Sequence, residues 1–453
     1  MDAHCDVAVI GGGVAGMACA AALAARGRAV TVLEGHQGED PRLRGELIQP
    51  FGVELLERLS LLRELRTGTA EVGGFAILPG EGREAIVLPY SDLALNDAAL
   101  WWPPRGLAGR HNLISGRIRA SAAARPGVRV LTGERVTGLL REAGRIVGVR
   151  AGRGREIRAE LTVIAGGRHT RLREMAGIAA ESRLLSWTAT CQIDRAALPH
   201  ADFGNILFTS LGPVLVYPVS ATAAAVSIEC PLSIGSGREQ IRSAIEASVV
   251  PSLPPALGKA LLASLRSGPM ELCANHSVQP DRHAVPGAVL VGDAAGCSHP
   301  ITASGITSGL HDAVTLGAAL GGAVGVDGAL ELYEQRRRRF AETRRWMADA
   351  IHDVLTARDS GARALREALF EYWMGSARAR AASLSLLSCH TSSWAGFAAE
   401  YTLVCGLALR SCFKEQSTAA RPVERVTGVM RTSIRQALRL LGSSDRVPRR
   451  APA

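Results

Sequence analysis

The sequence predicts an α/β fold: a mostly parallel sheet covered by helices, interleaved with a second β-sheet domain and followed by a helical C-terminal region. Three observations carry this. First, residues 6–10 (DVAVI) read as a buried strand, followed by a glycine-rich loop, an Ala-rich helix over about 14–26 closed by Gly27, and a second strand ending at Glu34. Second, residues 288–292 (AVLVG) form another buried strand, feeding a glycine-containing loop and a helix over about 305–322. Third, 183–231 is strand-like, with runs such as PVLVYPV and AAAVSIE, whereas the chain from about 327 onward reads mostly as helix.

The connecting elements follow from local patterns. Residues 42–66 read as helical with a turn at Pro50–Gly52. Residues 72–90 alternate around Pro79-Gly80, as a hairpin does. Residues 109–124 and 238–266 read as helices, and 128–164 as several short strands ending in LTVIA.

A chain of 453 residues is long enough for two or three domains. With 47% hydrophobic and 21% charged residues it is globular and not disordered. The net charge of +10 is carried almost wholly by arginine, Lys259 and Lys414 being the only lysines. From Arg421 onward eight arginines face only Glu424 and Asp445, so much of the excess sits in the tail. No nucleic-acid-binding module accompanies it, and nucleic acid is not an expected partner. Nine scattered cysteines without a CxxC pair argue for reduced thiols in a cytoplasmic protein, against a disulfide framework and against a metal site. Asp2, His4 and Asp6 precede only a short strand, so no leader is expected. No apolar run reaches the roughly 18–20 residues of a spanning helix.

The first motif is VIGGGVAGMACAAALAARGRAVTVLE. Gly11 permits a tight turn, Gly13 lets the backbone approach a pyrophosphate, and Gly16 allows close packing of helix on strand. Val14 and Ala15 open the helix, whose N-terminus offers unpaired N–H groups and a positive dipole end to phosphates. Glu34, 18 residues after Gly16, stands where a carboxylate accepts hydrogen bonds from ribose hydroxyls. Together these define a Rossmann-like dinucleotide site. They do not choose between FAD and NAD.

The second motif, PGAVLVGDAAGCSHPITASGITSGLHDA over 286–313, makes that choice. Gly292 and Asp293 end a strand, Asp293 can hold a ribityl hydroxyl, and Pro300 and Gly305 shape a loop before a helix starting near Ile306. The N-terminus of that helix can stabilise negative charge on a reduced flavin. Here the chain resembles the group A FAD-dependent monooxygenases, whose second FAD fingerprint is a GDA…P…G pattern at this spacing. It is most similar to squalene epoxidases. The string from Gly45 to Pro50 (GELIQP) resembles that family's GELLQP, His299 to Gly305 (HPITASG) resembles its HPLTGGG, and Leu215-Val216-Tyr217-Pro218 resembles a strand of its substrate region. The likeness covers about residues 5–340.

The resemblance implies a Rossmann-like FAD-binding domain (1–70, 105–180 and 275–340) interleaved with a β-sheet substrate domain (71–104 and 181–274), and a helical C-terminal region (341–453). It implies FAD reduced by NAD(P)H, O2 activated as a flavin C4a-hydroperoxide, and one oxygen atom inserted into a large hydrophobic substrate, by epoxidation or ring hydroxylation. A polyprenyl chain or a prenylated quinone or quinolone in secondary metabolism fits. Arg44 and Arg110 are expected at the FAD, and Gln49 and His299 beside the reacting centre, with a local structural role as the alternative for each of the last three. Trp101 and Trp102 line the pocket or pack in the core.

Three departures stand out. Gly166 occupies the place of the superfamily's Asp in an Ala-Asp-Gly motif, Ala303 and Ser304 replace two glycines, and Phe75 stands where squalene epoxidases usually carry Tyr. The last points away from squalene itself. A prenyl reductase with a similar second loop, which consumes no oxygen, is the rival enzyme. A flavin halogenase lacks its lysine motif here, and a non-catalytic membrane-bound flavoprotein is the non-enzymatic alternative. Finally, apolar residues at Val423, Val426, Met430, Ile434, Leu438 and Leu441 with interleaved arginines form a basic amphipathic helix. Such a helix contacts an anionic membrane peripherally or docks on the protein itself.

Overall fold

The computed structural model describes residues 3–38, 45–80, 82–96, 104–152, 154–322, 325–356, 359–414 and 426–434. Arg44, Trp101, Trp102 and most of the 423–441 helix lie outside these residues.

The chain opens with β1 (Ala3–Ile10), α1 (Val14–Ala24) and β2 (Val30–Glu34). Small side chains let α1 lie flat on the sheet, and every residue from Gly16 to Leu23 is buried. Next come β3 (Gly45–Ile48), α2 (Pro50–Arg58), β4 (Ala70–Val72), β5 (Gly74–Leu78), β6 (Ile86–Pro89), β7 (Gly106–Arg110) and α3 (His111–Ala123). The helix expected over 42–66 is thus corrected. GELI is a strand because Leu47 and Ile48 pair with Ala108 and Leu107 of β7, and the helix starts only at Pro50, which has no N–H to lose.

Strands β8 (Val128–Thr132), β9 (Val136–Glu142), β10 (Arg145–Ala151) and β11 (Arg155–Ile164) follow, then α4 (Leu172–Met175). The second sheet is built from β12 (Ala180–Asp194), β13 (Gly204–Phe208), β14 (Pro213–Pro218) and β15 (Ala223–Cys230). Instead of one helix over 238–266 there are two, α5 (Arg238–Ser248) and α6 (Pro255–Ser267), because Pro251, Pro254 and Pro255 interrupt the backbone ladder. The chain returns through β16 (Glu271–Pro280), β17 (Ala284–Val285) and β18 (Ala288–Leu290) to α7 (Gly305–Gly322). Helices α8 (Gly325–Thr356), α9 (Ser360–Gly375), α10 (Ala377–Leu387) and α11 (Trp394–Lys414) complete the molecule, and residues 426–434 are again helical.

The main sheet has the order β17-β18-β11-β1-β2-β8, with β18 to β8 all parallel and β10 and β9 added antiparallel beside β11. The second sheet runs β16-β12-β15-β14-β13-β5-β6, antiparallel except where β13 meets β5. A small sheet, β3-β7-β4, lies between them in sequence. One apolar core joins α1, α2 and α7 beneath the main sheet, and another fills the second sheet against α5 and α6. Among the described residues no helix is long and apolar enough to cross a membrane.

Candidate active site

The glycine loop is built around close approaches. Gly11 has φ +103, and a Cβ there would fall 2.5 Å from the Ala165 carbonyl oxygen. A Cβ on Gly16 would fall 2.0 Å from the Gly11 oxygen, so α1 can only reach the strand through glycine. Gly13 is different: nothing lies within 4 Å of its missing Cβ, and it borders a cavity. Val14 and Ala15 line the same cavity, and the Ala15 methyl packs on Gly292 and Gly309. Glu34 accepts hydrogen bonds from Gly12 N–H at 2.7 Å and His36 N–H at 2.8 Å. Burial alone would raise its carboxyl, but these amides hold it below the ordinary carboxylate range.

The second loop is fixed from below. Gly292 has φ +60, and its N–H donates to Asp312 at 2.8 Å. Asp312 is completely buried on α7 and forms an ion pair at 2.6 Å, off the hydrogen-bond line, with Arg337 of α8. Burial would lower the Arg337 guanidinium, but Asp312 outweighs it and keeps the cation charged. Asp293, His299, Pro300, Gly305 and Ile306 all border the cavity. Ala303 adopts φ +47, the left-handed conformation in which a glycine is unstrained.

Gln49 is wholly buried and does not border the cavity. Its amide donates to the Thr302 carbonyl at 3.1 Å and accepts from the Tyr90 hydroxyl at 2.7 Å, so it props the 299–305 loop. Phe75 packs edge-on against Tyr90 with ring centroids 5.8 Å apart. Arg110 is exposed and away from the cavity wall; its neighbour His111, paired with Glu46 at 2.8 Å, borders it instead. A side chain at Gly166 would press on Thr170, whose Oγ1 lies 2.9 Å from the missing Cβ.

His299 is 3% exposed, and its Nδ1 accepts from Ile301 N–H. The ring proton of the neutral imidazole is therefore on Nε2, 3.1 Å from Glu229 Oε1 and 3.0 Å from Ser186. His352 brings a second ring, 4.4 Å from that of His299 between centroids. The three side chains have a metal-like grouping, but a neutral His299 has no free Nε2 lone pair while Ile301 holds Nδ1. Burial would raise Glu229; hydrogen bonding from His299 and Ser186 and the His352 ring, 3.8 Å away, hold it down to about 2. A carboxyl depressed in the folded state contributes stability above its unfolded value of 4.5 and loses it as pH falls toward about 2. In urea titrations the protein is expected to lose about 3 kcal/mol over that window through this group. Glu229→Gln should be less stable at pH 7 and show a shallower acid loss; an identical acid profile would remove Glu229 from the account.

The sequence did not single out Tyr90, Glu229, Asp312, Arg337 or His352. An Asp in the apolar helix 305–322 was the one visible signal, a charge that burial demands be paired.

Arg110 apart, these groups border or support one cavity of about 2450 Å³. The two glycine loops line it, and so do apolar residues of α8, α9, α10 and α11, among them Val354, Leu369, Leu387 and Val404. The residues fit FAD: an open volume at Gly13 for a diphosphate, a helix N-terminus behind it, and Glu34 for a ribose.

Known structures share this architecture. The p-nitrophenol 4-monooxygenase PnpA of Pseudomonas putida DLL-E4 matches with TM-score 0.72 at 20% identity, over 86% of this chain and 99% of that one. The flavin-dependent brominase Bmp2 matches with TM-score 0.71 at 16% identity, over 91% and 100%. These likenesses define the class of fold, that of FAD-dependent monooxygenases and their relatives. The pyridine nucleotide-disulphide oxidoreductase family model matches residues 5–198, and the squalene epoxidase family model residues 158–424. Squalene monooxygenase SE2 of Panax ginseng is 30% identical over 384 residues, 81% of this chain and 68% of that protein. Squalene epoxidase erg1 of Aspergillus fumigatus is 28% identical over 82% of this chain and 79% of that protein. The chain belongs to the squalene epoxidase family and is an FAD-dependent monooxygenase. No two of the nine cysteines have CxxC spacing, so the match to the disulphide-oxidoreductase model is read as the shared nucleotide fold.

Proposed function

We propose that this enzyme inserts one oxygen atom from O2 into a large hydrophobic substrate, a polyprenyl chain or a prenylated quinone or quinolone, with NAD(P)H as reductant. The observation that carries this is a cavity of about 2450 Å³ lined both by the two FAD loops and by apolar residues of α8, α9, α10 and α11. One small-molecule site needs roughly 300–1,000 Å³, so there is room for a cofactor and a second extended molecule. Bound FAD supplies the oxygen chemistry.

The chain's own residues bind and orient. Gly11, Gly13 and Gly16 with the α1 N-terminus take the diphosphate, Glu34 the adenosine ribose and Asp293 the ribityl chain. The α7 N-terminus at Gly305 and Ile306 borders the cavity and would stabilise negative charge on a bound flavin. Gln49 and His299 position the 299–305 loop through Thr302, Tyr90 and Glu229. The division into FAD segments (1–70, 105–180, 275–340), substrate segments (71–104, 181–274) and a C-terminal region (341–453) belongs to this reading. So does a cytoplasmic enzyme touching the membrane through its basic helix.

The test is turnover of prenylated substrates with NAD(P)H under 18O2, followed by mass. A product carrying one 18O atom is expected, its position separating epoxidation from hydroxylation. An unlabelled product two hydrogens heavier would make the chain a prenyl reductase.

A further inference from the structure

The face that the second sheet turns to the cavity is divided. Alternate residues of β12 and β15, among them Ala189, Cys191, Val226 and Ile228, pack away from the cavity against α5 and α6. Their neighbours Thr188, Thr190, Ser227 and Glu229 line it. The strand registers set one row across this face. Ile77 of β5 stands beside Ile206 of β13, Ile206 beside Leu215 of β14, Leu215 beside Ser227 of β15, and Ser227 beside Thr190 of β12. All five residues border the cavity, so the row is apolar over three strands and turns to hydroxyls over the next two.

The hydroxyl half adjoins the flavin loop. In the next row Thr188 stands beside Glu229, whose Oε1 lies 3.1 Å from His299 Nε2. The polar groups around that row are spent on one another. Asn275 Nδ2 donates to Ser186 Oγ and Thr188 Oγ1, both at 2.8 Å, and Ser186 Oγ lies 3.0 Å from His299 Nε2. Thr190 and Ser227 take no part in this network. Each stands two residues along its strand from that row, about 7 Å. Among the described residues neither hydroxyl has a hydrogen-bond partner, and neither is sealed from the cavity. Side chains opposed on neighbouring strands start about 5 Å apart, so both hydroxyls can reach one ligand atom.

The strand itself asks only for a branched side chain at 190, which valine would supply. A hydrocarbon laid over this half would take both hydroxyls out of water and give them nothing to bond. An oxygen atom would bond both. We propose that Thr190 and Ser227 form a subsite for a carbonyl or hydroxyl oxygen of the substrate, and that the hydrocarbon part of the same molecule lies over Leu215, Ile206 and Ile77. The substrate is then an oxygen-bearing head with a prenyl tail, and not a pure hydrocarbon. The proposal rests on the lipid-oxygenase reading above.

Equilibrium dialysis of the flavin-loaded full-length protein in dilute detergent tests it. The tritiated ligands are a geranylgeranyl naphthoquinone, geranylgeraniol, and the geranylgeranyl hydrocarbon without a head. At least one oxygenated ligand is expected to bind about 10-fold tighter than the hydrocarbon. Thr190→Val combined with Ser227→Ala, which removes the two hydroxyls and keeps the wall, should cut that preference below about 3-fold without weakening hydrocarbon binding. Thr190→Ser, which returns a hydroxyl, should keep it. Equal affinity of the wild type for all three ligands overturns the subsite while leaving a lipid oxygenase standing. A preference that survives the double substitution places the head elsewhere and also overturns it. Absence of binding by every ligand overturns the proposal as well, and the 18O2 experiment decides separately whether the lipid-oxygenase reading falls with it.

Discussion

Gly13→Val is expected to give a folded protein that holds no flavin. Gly13 has φ −74 and ψ −176, an extended conformation that valine adopts readily, and no atom lies within 4 Å of the new Cβ. The cost to the fold is that of a poor helix cap, about 1 kcal/mol. The branched side chain fills the open volume in front of α1, where a diphosphate must approach the backbone. Affinity should fall at least 100-fold, about 3 kcal/mol. The measurements are the ratio of flavin to protein absorbance after reconstitution and the melting temperature of the flavin-free protein. Gly16→Ala makes the contrast: its Cβ falls 2.0 Å from the Gly11 oxygen, so fold and flavin should be lost together. Wild-type flavin affinity in Gly13→Val would remove the diphosphate from this loop.

The buried Asp312–Arg337 pair carries the second large effect. Removing one charge leaves the other buried without its partner, which costs about 3–5 kcal/mol. Arg337→Met and Asp312→Leu are each expected to lose that much in urea unfolding. The double substitution should recover most of it, since an apolar pair of similar volume replaces both ions. It should not recover flavin, because the Gly292 N–H still lacks the acceptor that sets the turn before Asp293. Full flavin retention in the double variant would reduce Asp312 to a packing element.

Sequence patterns were sufficient where structure is local. The helix over 305–322, the strand feeding the first glycine loop and the hairpin at 74–89 all have chemistry written in adjacent residues. They were insufficient where a partner lies far along the chain. GELI is too short to show a period, and it is a strand only because β7 pairs with it. Gln49 could be flagged from its string, but its two partners, Thr302 and Tyr90, are 253 and 41 residues away. Glu229, His299 and His352 come from a strand, a loop and a helix, and no spacing rule connects them. Phe75 looked like a lost hydroxyl; its neighbour Tyr90 places one on Gln49.

The strand order of the main sheet bears on how the protein is made. β1 needs β11, so the parallel centre β11-β1-β2-β8 cannot close before residue 164 has left the ribosome, and the far edge of β11 at Thr162–Ile164 stays unpaired until β18 follows at residue 290. Until then that edge of β11 waits open while β12 to β16 are made, and β13 among them must pair back with β5 of the earlier segment. Such long-range pairing folds slowly and exposes sticky intermediates. A nascent chain of this enzyme therefore carries an open strand edge for well over half of its synthesis, and a chain shortened before β18 lacks both the cover for that edge and the Gly292–Asp293 loop, so no smaller flavin-binding domain is expected from it.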